Sequence, residues 1–78
     1  MKELTEFIVR SLVDYPDQVE VREIDEDRAV VLELSVASSD MGRVIGRSGR
    51  VINSIRAILQ VLAAKQGNRV TLELLESD

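Results

Sequence analysis

The stretch Val44-Ile45-Gly46-Arg47-Ser48-Gly49-Arg50-Val51-Ile52 decides how the middle of this chain folds. Two glycines enclose two polar residues, and an apolar pair stands on either side. The pairs Val44/Ile45 and Val51/Ile52 predict two helices anchored in one core. The four residues from Gly46 to Gly49 must then turn sharply between them. Glycine suits that turn because it lacks a Cβ and reaches positive φ without steric cost. Such a loop at a helix N-terminus, with arginines beside it, has the makings of a phosphate contact. Its bare N–H groups and the helix dipole both favour an anion.

Outward from the loop, the pattern predicts an alternation of helices and strands. Leu4, Phe7, Ile8 and Leu12 follow the spacing of an amphipathic helix, which Tyr15-Pro16 should end. Val19 to Ile24 reads as a strand, Asp25-Glu26-Asp27 as a charged turn, and Val30, Leu32, Leu34 and Val36 as a second, cleanly alternating strand. The two should pair as an antiparallel hairpin. Ser38-Ser39-Asp40 offers N-cap chemistry for a short helix over 40–45. Gly49 opens a longer helix to about Gln66, with Ile52, Ile55, Leu59 and Leu62 on its apolar face and Val51 and Ile58 widening it. Gly67-Asn68 stops it. Val70, Leu72 and Leu74 make a last strand, and the tail Glu76-Ser77-Asp78 is expected to fray. The long crossover between the last two strands suits parallel pairing. The expected fold is an α+β sandwich of order α-β-β-α-α-β: a three-stranded mixed sheet with helices on one face.

Composition bounds the function. A chain of 78 residues makes one domain with a modest core, and a stability of roughly 3–5 kcal/mol is expected. Neither cysteine nor histidine occurs, which removes thiolate chemistry, the commonest general base and the commonest metal ligand. No catalytic residue, metal site or cofactor is therefore expected. The N-terminal MKELTEFIVRSL does not read as a signal peptide, and no stretch approaches the length of a membrane helix. A cytoplasmic protein without membrane insertion is the expectation.

The net charge of −4 is unevenly spread. Between Met41 and Leu72 stand Arg43, Arg47, Arg50, Arg56, Lys65 and Arg69, with no acid among them. The other bases, Lys2, Arg10, Arg22 and Arg28, share the remaining chain with all 14 acids. A basic surface on an acidic body is the expected result.

The element order, the Asp40-Met41-Gly42-Arg43-Val44-Ile45-Gly46 approach to the loop, and Ile55-Arg56 on the helix after it resemble a KH domain of type II topology. More narrowly, they resemble the small bacterial single-KH proteins of the KhpA (YlqC-like) family. The resemblance spans Leu4 to Leu75, and residues 1–78 are read as a single KH domain with its core at about 4–75. It implies binding of single-stranded RNA, with Gly46, Arg47, Ser48 and Gly49 as the GXXG loop that clamps the backbone. It further implies that Arg50 adds charge at the helix start, that Arg43 and Arg56 flank the site, and that Ile45 and Ile52 floor a groove for bases. Plain core packing is the competing reading for the two isoleucines. Many family members carry Lys at one of the two variable loop positions; Arg47 keeps that charge here and Ser48 is neutral. The resemblance also implies a homodimer or a heterodimer with a Jag-type (KhpB) KH protein. The role it implies is post-transcriptional control or RNA chaperoning, with effects on cell shape and wall organisation.

Other classes fit less well. Phe7 and Tyr15 are the only aromatic residues, which disfavours the stacking platforms of RRM and OB folds. Gly42, Gly46 and Gly49 follow no strand directly and make no dinucleotide fingerprint, and no P-loop is present. No small-molecule substrate is expected. The rival from another class is a KH-fold protein-interaction module with little dependence on RNA, which the acidic body favours.

Overall fold

The computed structural model describes residues 1–76 and has the α+β architecture expected, in the order α-β-β-α-α-β. Helix α1 spans Lys2–Arg10, strands β1 and β2 span Glu20–Glu26 and Ala29–Ser35, and helix α2 spans Met41–Ile45. Helix α3 runs over Arg50–Lys65 and strand β3 over Arg69–Leu74. Ser77 and Asp78, part of the tail expected to fray, lie outside the described residues.

The sheet has β2 in the centre, antiparallel to β1 and parallel to β3. Alternation along the strands sends Val21, Leu32, Leu34, Val70 and Leu72 to one buried face. Helical residues Val9, Val44, Ile52, Ile55, Leu59 and Ala63 complete the same core. The opposite face carries Arg22, Glu33 and Glu73, with Arg22 Nε 3.7 Å from Glu33 Oε1. Strand β1 runs two residues further than expected, through Asp25 and Glu26, because backbone pairing with Val30 and Ala29 continues beneath charged side chains that point to water. The turn is Asp27-Arg28, with Arg28 at φ 52.

Four local expectations are corrected. Helix α1 is turned away from the apolar stripe read from its sequence. Thr5 and Val9 are buried, with Met1, Ile8 and Val13 half-buried beside them, while Leu4 and Leu12 are exposed and Phe7 is 70% exposed. Thr5 can enter the core because its hydroxyl donates to the Met1 carbonyl at 2.8 Å, so its polarity is satisfied within the helix. The helix ends at Arg10, well before Tyr15-Pro16. Pro16 instead opens a short 3₁₀ turn.

The cap expected from Ser38-Ser39-Asp40 does not form: no side chain there caps α2. Asp40 is fully buried, and its carboxylate accepts the backbone N–H groups of Asp14 at 3.0 Å and Tyr15 at 3.1 Å. A buried carboxylate needs such donors, and these two are taken from the α1–β1 connection, not from the helix.

On α3 the inward line is Ile52, Ile55, Leu59 and Ala63; Leu62 is half-buried and Ile58 is 50% exposed, so the apolar face is narrower than expected. The helix closes by a Schellman pair, Asn68 N–H to Ala63 O at 2.9 Å and Gly67 N–H to Ala64 O at 3.0 Å.

Candidate nucleic-acid interface

The loop between α2 and α3 holds three unusual backbone conformations within four residues. Gly46 adopts φ 74 and ψ 173, a region essentially closed to residues with a side chain. Ser48 and Gly49 follow in the left-handed region, at φ 56, ψ 27 and φ 77, ψ 14. A non-glycine residue such as Ser48 occupies that region at a cost of about 1–2 kcal/mol. Gly46 N–H donates back to Gly42 O at 2.9 Å, which closes α2, and Gly49 N–H donates to Gly46 O at 3.2 Å, which tightens the turn.

Those bonds leave the N–H groups of Arg47 and Ser48 without a backbone or side-chain acceptor among the described residues. Both residues are exposed. Arg50, exposed in the first turn of α3, adds a guanidinium where the helix dipole is positive. Neither Arg47 nor Arg50 takes part in an ion pair among the described residues. The loop therefore offers two backbone donors, a hydroxyl and two guanidinium groups that are unpaired among the described residues. A cavity of about 460 Å³ lies away from the loop, against α1, β1 and β2, lined by Lys2, Glu6, Glu20, Arg22 and Glu33.

The flanking residues divide. Arg43 is exposed and pairs with Asp14, Nη2 to Oδ2 at 3.4 Å. Arg56 is half-buried and straps α3 to β3: its Nε donates to Leu72 O at 3.1 Å and its Nη1 to Asn53 Oδ1 at 3.2 Å. Of the apolar residues bracketing the loop, Val44 and Ile52 enter the core at 0% and 5% exposure. Ile45 is exposed and Val51 is half-buried. Ile45 is thus available to a ligand, and Ile52 is chiefly core.

One residue of this region, Asp14, escaped the sequence reading, and another, Asp40, was read for a different role. Asp14 carries no local pattern that would draw attention to it, and Asp40 shows only the generic signature of a helix cap.

The KH domain model described as KhpA/KhpB matches residues 2–74. The chain belongs to the KhpA/KhpB family of KH domains. It is similar to a protein named RNA-binding protein KhpA in Clostridium acetobutylicum, 45% identical over 75 residues, covering 96% of this chain and all of the relative. A protein of the same name in Borreliella burgdorferi is 49% identical over 74 residues, 95% of this chain and 90% of its own. Another in Chlamydia trachomatis is 40% identical over 76 residues, 97% of each chain. No solved structure gives a significant match. The three-stranded mixed sheet with its α-β-β-α-α-β order is consistent with that family's KH-like fold. No helix among the described residues is long and apolar enough to cross a membrane.

Proposed function

We propose that this KhpA-family chain is a non-enzymatic binder of single-stranded RNA that grips the backbone with Gly46, Arg47, Ser48 and Gly49. The observation that carries this reading is the loop itself: two N–H groups with no acceptor, beside two guanidinium groups with no counter-ion, among the described residues. Phosphate is the ligand whose charge and acceptor oxygens match both at once. The names of the relatives support RNA as its source. Arg50 adds charge at the helix start, Ile45 offers an apolar contact to a base, and Arg43 and Arg56 flank the site.

A single small site gives weak binding, so useful affinity calls for a second module through effective concentration. A homodimer, or a pair with a Jag/KhpB-type KH protein, supplies one. The family description, which joins KhpA and KhpB, supports that pairing. The cellular role that fits is post-transcriptional control or RNA chaperoning in the cytoplasm, reaching cell shape and wall organisation through its RNA targets.

The second reading is a KH-fold interaction module with little need of RNA. Exposed apolar side chains favour it, with Phe7 at 70%, Val61 at 59% and Ile58 at 50%. One experiment separates the two. Labelled single-stranded RNA is titrated with the wild type and with an Arg47→Asp/Ser48→Asp variant, while sedimentation follows assembly. Loss of RNA binding in a folded variant that still assembles supports the RNA clamp. Absence of binding by both supports the module.

A further inference from the structure

The segment from Met41 to Leu72 holds six bases and no acid, yet the fold brings an acid from the α1–β1 connection against one of them. Of the three ion pairs among the described residues, only Arg43–Asp14 involves a base of that segment. We infer that Asp14 attenuates the RNA site by occupying Arg43 and holding that guanidinium away from the RNA backbone. The inference rests on the RNA-binding reading above and adds to it a residue that sets its strength.

The placement of Asp14 is built, not incidental. Its backbone N–H is held at 3.0 Å by Oδ1 of Asp40, a fully buried carboxylate. Asp40 immediately precedes α2, and Arg43 stands three residues further along, about one helical turn. A single turn thus grips Asp14 twice, at its backbone through Asp40 and at its side chain through Arg43. The second grip is the weak one: Arg43 and Asp14 side chains are 59% and 63% exposed. An exposed pair at this distance is a weak restraint, so it tempers the site and does not close it. Arg43 lies three residues before Gly46, about 4.5 Å along the helix axis, so a backbone seated on the loop passes within reach of a released guanidinium. Arg47 and Arg50 bear no such restraint among the described residues.

The test uses the full chain and a short fluorescein-labelled single-stranded RNA of mixed sequence, titrated at several salt concentrations. Asp14→Asn keeps the backbone N–H to Asp40 and removes only the charge. It is expected to bind about two- to fivefold more tightly at low salt, the scale of an exposed ion pair. The slope of log K against log salt should steepen by about 0.7, one added phosphate contact. In an Arg43→Gln background the same substitution should leave the slope unchanged. Asp14→Ala serves as a second neutral variant, and circular dichroism confirms that each is folded. Wild-type binding with no gain in affinity or slope from Asp14→Asn overturns the inference and leaves the RNA reading intact. A slope gain that persists without Arg43 also overturns it. Failure of the wild type to bind overturns the RNA reading, and the inference with it.

Discussion

The backbone nitrogen of Val51 lies 2.8 Å from the point where a Cβ on Gly46 would stand, and the Val51 Cβ only 2.9 Å. The close approach lets α3 begin directly against the end of α2. Because the obstructing atoms include backbone, no rotamer change relieves them. Gly46→Ala adds this clash to a φ of 74 that disfavours side chains. It is expected to destabilise the fold by about 1–3 kcal/mol or more, read as a lowered urea midpoint. Gly49→Ala should be milder, about 1–2 kcal/mol, since its Cβ would meet only the Asn53 Nδ2 at 3.3 Å.

Arg47 and Ser48 are exposed and contribute nothing to the core. Replacing both with Asp is expected to abolish RNA binding with little change in the thermal midpoint. Fluorescence anisotropy beside a circular dichroism melt checks both halves of that statement.

Binding through two or three phosphates predicts a slope of log K against log salt of roughly −1.4 to −2.1. A slope near zero would show that the contact is not electrostatic and would count against the loop as the clamp.

Ile45 and Ile52 should separate under truncation. Ile52, 5% exposed, is expected to lose about 2–5 kcal/mol as alanine. Ile45, 37% exposed, should lose far less stability but weaken RNA binding. Denaturant unfolding and RNA titration of the two variants give the comparison. Weakened RNA binding in a stable Ile52→Ala protein would restore Ile52 to the groove.

Asp40→Ala strands the N–H groups of Asp14 and Tyr15 and removes a fully buried carboxylate. A loss of about 1.5–3 kcal/mol is expected, a large share of a small domain's stability. Asp40→Asn retains one acceptor oxygen and should lose less. Chemical denaturation gives the loss in each, and amide exchange at Asp14 and Tyr15 distinguishes a brace from a cap, because loss of a cap would leave the α1–β1 connection protected.

Element order, strand pairing and the glycine loop were legible in the residues alone. Alternation over Val30–Val36 and helical spacing over Ile52–Leu59 are local periodicities, and periodicity maps directly onto a strand or a helix face. The charge-free-of-acid stretch from Met41 to Leu72 was equally plain. Three-dimensional packing decided the rest. Helix α1 turned its Thr5–Val9 face inward because a threonine that satisfies its own hydroxyl packs as an apolar residue, which no hydrophobicity pattern registers. Asp40 became a brace because its donors lie 26 and 25 residues away, at a separation where local sequence carries no signal. The same contact set Asp14 against Arg43, while Arg47 and Arg50 have no acid partner among the described residues. Sequence determined that a basic glycine loop would exist. Tertiary structure determined which of its arginines are open to a ligand, because that depends on acids brought from elsewhere in the chain.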